Sequence, residues 1–222
     1  MSATGWFPLW LSLQVASVAT ILAIIVGVPL AWLLGRRRFP GRDLLSVVVL
    51  LPMVLPPTVL GYYLLLLVGR HSVLGRASEA MGLGRIIFTP TAAVIAAFVA
   101  ALPFLVRTAQ AGIEQVDPVY EEAARTLGRR ELSIFLTVSV PLAWRAIAAG
   151  IALAFARAMG EFGATLMVAG NIPGRTQTAS IAIYDSVQGG RMEEAHLLAL
   201  LLSVLTGLVL LFLTSVGRRE RL

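Results

Sequence analysis

The chain reads as an all-α integral membrane protein with five spans in a single domain. Three observations predict this. Hydrophobic residues make up 58% of its 222 residues, only 14% are charged, and the mean hydropathy is +0.85. That composition lies far outside the range of a soluble globular domain. Five apolar runs, 7–34, 44–68, 89–111, 142–169 and 195–216, are each long enough to cross about 30 Å of hydrocarbon. The arginines cluster at the ends of these runs and divide unequally between the two sides. Arg36, Arg37, Arg38, Arg42, Arg107, Arg125, Arg129, Arg130, Arg218, Arg219 and Arg221 fall on one side, and Arg70, Arg76, Arg85, Arg175 and Arg191 on the other. Arg145 and Arg157 lie in or near the fourth run and belong to neither group. The excess places the first side in the cytoplasm, the N-terminus outside and the C-terminus inside.

The first run has no basic residue ahead of it and is too long for a cleaved signal core, so a retained span is expected. Trp6, Trp10, Trp32 and Trp144 lie near proposed span ends, where indoles favour the interface. The second run contains LLPMVLPPTVLGYY. Pro52, Pro56, Pro57 and Gly61 will bend or unwind it and free carbonyls that need partners. The segment is either a hinge or gate lining, or a kinked helix satisfied by its neighbours.

Residues 117–141, DPVYEEAARTLGRRELSIFLTVSVP, separate the third and fourth runs. Asp117 is a good N-cap and Pro118 suits the first helical position. Glu121 sits in the first turn, where the helix dipole favours an anion, and Arg125 is placed to pair with it. Gly128 can take positive φ and end the helix. A short helix from Pro118 to Leu127 is expected, then a second, initially amphipathic helix that Pro141 breaks before the next span. Tyr120, Ala123, Ala124 and Leu127 share one face by helical spacing. The alanines would let another protein's surface approach closely.

The fourth run contains ARAMGEFGATLMVAG. Glu161 is an acid in an apolar run and hence a functional candidate. Arg157, four residues earlier, can pair with it, so a structural ion pair is an equal contender. Gly160 and Gly163 allow close backbone approach, and Phe162 is either a gate plug or a packing residue. The segment 170–190 is too polar to span. Asn171 to Gly174 reads as a turn. Thr176, Gln177, Thr178 and Ser180 offer neutral hydrogen-bond donors, which suit transient passage of an oxyanion. A plain external loop with a short helix is the other reading.

Several functions are excluded. Cysteine is absent, which rules out disulfides and thiolate metal sites. Lysine is absent, and a Walker A loop needs one. His71 and His196 form no metal-ligand pattern. The pI near 10.9 reflects arginines at span ends, so lipid headgroups rather than nucleic acid are the expected anionic partner. No paired carboxylate or nucleophile–base signature suggests an enzyme.

The order Glu122-Ala123-Ala124, Gly128, Pro141 resembles the EAA loop of ABC-importer permeases. RRRFPGR after the first run, the proline-rich second run, EEAARTLG and GEFGAT…GNIPGRTQTASIAIY resemble the molybdate branch of that family, with sulfate permeases next. The resemblance implies a five-helix type I ABC importer permease core working as a homodimer. It implies that Glu121, Glu122, Ala123, Ala124, Leu127, Gly128 and Pro141 belong to a cytoplasmic coupling loop. A separate ATPase subunit would dock there and hold ATP and Mg, with no cofactor on this chain. An extracytoplasmic molybdate-binding protein would deliver the anion. Pro52, Pro56, Pro57, Gly61, Arg157, Glu161, Phe162, Gly163, Asn171, Thr176 and Gln177 are candidates for the path or its gate.

Overall fold

Proline, glycine and apolar run length decide where the helices of this chain begin and break. The computed structural model describes residues 6–70, 72–82 and 84–218, apart from the side chains of 216–218. His71, Arg219, Arg221 and the Arg218 side chain, all part of the sequence reading, lie outside what is described.

The first helix, α1 (Phe7–Arg36), is 30 residues long and so roughly 45 Å. The third apolar run forms α5 (Pro90–Glu114), with Thr89 as its N-cap. The last forms α12 (Met192–Arg218). These three are long and apolar enough to cross a membrane, and two sharply bent pairs bring the number to five if each pair is one span.

α1 and α5 pack along their length through small residues. Ala16, Ala19, Ala23 and Ala31 of α1 and Ala92, Ala93, Ala96, Ala97, Ala100 and Ala109 of α5 are almost fully buried. The close approach is set by Gly27, where a Cβ would lie 3.1 Å from Leu102 and 3.2 Å from Leu105. This is helix association through backbone proximity, as expected where lipid supplies no hydrophobic drive. α9 (Trp144–Met159) completes a three-helix core with them. A Cβ on Gly112 would overlap the Ala146 Cβ. α12 is the least buried of the three long helices and packs on α9 and on α11 (Ala179–Gln188).

The second run is not one helix. It divides into α2 (Arg42–Val54) and α3 (Pro57–Val68), which meet at 120°. Pro56 and Pro57 lack the N–H groups that would have continued the ladder. A short helix, α4 (Val73–Ala80), follows with Ser72 as its cap.

The fourth run also departs from the expected continuous 142–169 span. α9 ends at Met159, the chain turns at Gly160–Phe162, and α10 (Gly163–Ala169) resumes. Ahead of α9, a rod of α7 (Glu131–Ile134), one π-turn (Phe135–Ser139) and α8 (Val140–Leu142) meets it at 80°. Pro141 does not itself mark the break, which falls at Ala143. The widened turn before Pro141 accommodates a ring that would clash with the carbonyl four residues back.

Candidate functional site

The loop between α5 and α7 folds as a short capped helix. α6 (Pro118–Thr126) starts where Asp117 Oδ1 accepts the Val119 N–H at 3.0 Å. It stops where Gly128 takes φ +74°. The Gly128 N–H bonds the Arg125 carbonyl at 2.9 Å and the Arg129 N–H bonds that of Ala124 at 3.1 Å. These bonds satisfy carbonyls that the helix end would orphan.

The two faces of α6 differ. Val119, Tyr120, Glu122, Ala123 and Leu127 are exposed, with Leu127 at 82%, and Ala124 is half-buried. Leu132 and Leu136 on the following rod are exposed too. Glu121 points the other way and is only 3% exposed. Its Oε1 lies 3.0 Å from Arg36 Nε and accepts the Ser139 hydroxyl at 2.7 Å. The expected pairing with Arg125 is present but looser, at 3.5 Å. Arg36 also donates to the Val116 carbonyl. One buried carboxylate thus joins α6, the C-terminal end of α1 and the π-turn that leads into α9.

An outer layer reinforces this joint. Arg125 Nε meets Glu131 at 2.8 Å, and Arg37 meets the same carboxylate at 2.9 Å while its guanidinium stacks over Trp32. Trp32 in turn packs on Phe135, with ring centroids 5.3 Å apart. The Arg125 hydrogen bond holds the Glu131 carboxyl below the usual carboxylate range, with partial desolvation opposing and the charges of Arg125 and Arg37 assisting. The same hydrogen bond raises the Arg125 pKa above its ordinary value.

The two broken runs meet each other. A Cβ on Gly61 would lie 2.7 Å from the Met167 Cβ and 3.0 Å from the Ala164 Cα, and one on Gly163 would lie 2.7 Å from the Pro57 Cβ. α3 therefore lies directly on α10, and both glycines are required by backbone approach. Pro52 is half-buried inside α2, and Pro56 sits exposed at the break. Glu161 is 3% exposed. Its Oε2 is 2.6 Å from Arg157 Nη2, and its Oε1 accepts the Ala164 N–H at 2.9 Å. The carboxylate pins the end of α9 to the start of α10. Phe162 packs on Tyr184 with ring centroids 5.1 Å apart.

In the loop after α10, the Asn171 amide donates to Asp185 at 3.0 Å and accepts from Gln177 at 2.9 Å. Thr176 is fully buried and accepts the Ile172 N–H at 3.2 Å. Thr176 and Gln177 thus bond within their own loop. Among the described residues, no group of three His, Asp or Glu side chains is placed to hold a metal.

Residues 27–219 match the family described as binding-protein-dependent transport system inner membrane component. The chain belongs to this family. Its fold is that of type I ABC importer permeases. A bacterial ABC transporter involved in import of the acidic polysaccharide alginate superposes with a TM-score of 0.78 at 15% identity, over 100% of this chain and 82% of that one. Against the MetNI methionine ABC transporter the TM-score is 0.73 at 18% identity, with 98% of both chains covered. Among curated relatives, the putative molybdenum transport system permease protein YvgM of Bacillus subtilis is 42% identical, covering 96% of this chain and 94% of its own. ModB of Azotobacter vinelandii, a molybdenum transport system permease protein, is 40% identical over 94% and 92%. The sulfate transport system permease protein CysT of Salmonella typhimurium is 37% identical over 93% and 73%.

In this permease, sequence reasoning locates the α6 helix and the prolines but misses three partners. Arg36, Ser139 and the Ala164 N–H complete the settings of Glu121 and Glu161, and the first two are beyond local spacing. The one available signal is that a carboxylate in an apolar setting has more acceptor sites than a single arginine four residues away can fill.

Proposed function

We propose that the chain is the membrane-spanning subunit of a molybdate importer, with tungstate as a close substitute. Two copies pair to enclose the path. A separate cytoplasmic subunit binds ATP and Mg and docks on α6, and an extracytoplasmic binding protein delivers the anion. The orientation follows from the arginine excess, with the α6 loop inside and the N-terminus outside. The observation that carries this reading is the α6 helix itself: an exposed apolar face on one side and a buried Arg36–Glu121–Ser139 joint on the other. Nucleotide-driven closure pushes on Leu127, Tyr120 and Ala123. Because Glu121 is fastened to α1 and to the rod before α9, the push becomes a movement of two spans instead of a local bend. The Arg157–Glu161 pair holds the two halves of the fourth run together, and the α3–α10 glycine contact holds the two broken runs to each other during that movement.

The choice of molybdate rests on GEFGAT…GNIPGRTQT and on the relatives named for molybdenum. Sulfate is the second reading, favoured by the 37% identity to a sulfate permease. The test is purification from native membranes with its companions, followed by oxyanion-stimulated ATP hydrolysis. Molybdate is expected to stimulate at concentrations at least tenfold below sulfate. Stimulation by sulfate alone selects the second reading, and the absence of any ATPase companion overturns both.

A further inference from the structure

Two arginines within the apolar helices have no carboxylate partner among the described residues. Arg107 lies in α5, seven residues before its end at Glu114, which is about 10 Å along the axis. Arg145 is in the first turn of α9. Both are exposed, and neither takes part in an ion pair there. The nearby acid Glu114 is taken by Gln110 at 2.8 Å and Arg42 at 3.8 Å. By contrast Arg36 and Arg157 are both paired.

The seam between α5 and α9 shows where these two side chains lie. A Cβ on Gly112 would meet Ala146, and one on Gly150 would meet Leu105 and Thr108. The helices are therefore antiparallel, with Thr108 and Gly112 facing Ala146 and Gly150. Residues one position before each of these flank the seam on a common side: Arg107 and Ala111 on α5, Arg145 and Ala149 on α9. All four are exposed. α1 occupies the opposite side, with Gly27 against Val106 and Gly35 against Ile113. The same α5 stripe continues outward as Ala100, Ala97 and Ala93, all buried, and α10 packs on α5. The face is thus closed in its outer half and open in its inner half. There two arginines, roughly 9 Å apart along the axis, flank a floor of small side chains.

We infer that this inner groove is an oxyanion site on the cytoplasmic half of the path, with Arg107 and Arg145 receiving the anion after the α3–α10 region. The inference rests on the transport reading above. Guanidinium forks match tetrahedral oxyanions, and unpaired cations within spans face aqueous cavities rather than lipid tails. Exposure to water keeps each attraction moderate, so the anion is drawn inward and then released.

The test uses the full complex with its ATPase and binding protein in proteoliposomes. Uptake of molybdate per ATP hydrolysed is measured for R107Q/R145Q and, separately, for A149E, which adds a carboxylate to the groove without removing either arginine. Both variants are expected to keep ATP hydrolysis stimulated by loaded binding protein within twofold, while uptake per ATP falls about tenfold. Wild-type uptake per ATP in A149E or in a folded R107Q/R145Q overturns the inference. So does a loss seen only in anionic-lipid vesicles and not in neutral ones, which assigns the arginines to headgroups. A wild-type complex that takes up no molybdate defeats the molybdate reading itself, a result distinct from either.

Discussion

Replacing Arg36 and Glu121 together with apolar residues is expected to be far milder than replacing either alone. Glu121 is 3% exposed and the Arg36 side chain 10%. Removing one member of such a pair leaves a buried charge without compensation, a loss of about 3–5 kcal/mol. R36M should fall at about 3 kcal/mol, the lower end of that range, because Ser139 at 2.7 Å and Arg125 at 3.5 Å still reach the carboxylate. E121L strands the guanidinium and orphans the Ser139 hydroxyl, adding roughly 1 kcal/mol. In R36M/E121L both charges are gone and the site is apolar, so the net cost should return to within about 1–2 kcal/mol of wild type. At roughly 2–4 °C per kcal/mol for a chain of this size, R36M should unfold about 6–12 °C lower and E121L, at about 4 kcal/mol, about 8–16 °C lower. Thermal unfolding in detergent, followed by tryptophan fluorescence, measures all four proteins. If the double variant loses the sum of the two single losses within about 0.5 kcal/mol, the residues act independently and the joint does not exist.

Other outcomes follow from the same geometry. G61A must push α3 from α10 against a 2.7 Å contact, and should lower stability by about 1–3 kcal/mol in the same melt. G128A has open space for its methyl but keeps φ +74°, so about 1 kcal/mol of local strain is expected, whereas Gly128→Pro should abolish substrate-stimulated ATP hydrolysis while the protein still inserts. Glu161→Gln keeps the Ala164 N–H acceptor and loses the charge paired with Arg157. Uptake should fall severalfold with insertion unchanged, as judged by uptake against membrane abundance. The Glu131 carboxyl sits below the usual carboxylate range, so its contribution to fastening α6 is present above that range and is lost as pH falls through the depressed value. The group is about 40% exposed, which keeps the effect small. Protease protection of residues 117–131 should hold from pH 8 to about pH 5 and weaken only in stronger acid.

The α6 helix is legible in the sequence because every signal that bounds it is local. Asp117, Pro118 and Gly128 act on their own backbone, and the helix observed ends one residue before the expected Leu127. The break between α2 and α3 is legible for the same reason, since two prolines remove adjacent donors. The break at Gly160–Phe162 is hidden inside an apolar run, and composition carries no information about where such a run turns. Arg107 counts with the cytoplasmic side in the sequence, but α5 continues past the expected end at Ala111 to Glu114, where Gln110 and Glu114 bond each other beside Gly35. The Arg36–Glu121 joint lies beyond any local pattern. It forms because the α1 and α5 alanine stripes bring two distant span ends to one level, where a buried carboxylate needs a cation.

Since the chain contains no cysteine, a single Leu127→Cys substitution gives one unique thiol on the exposed face of α6. A short cysteine-reactive cross-linker applied to the assembled complex is expected to join that thiol to the nucleotide-hydrolysing subunit, with yield changing between nucleotide-free and ATP-bound states. Failure to capture that subunit, or labelling of the introduced thiol by a membrane-impermeant reagent from the outside of intact cells, would contradict the assignment of α6 as the surface through which the motor drives the spans.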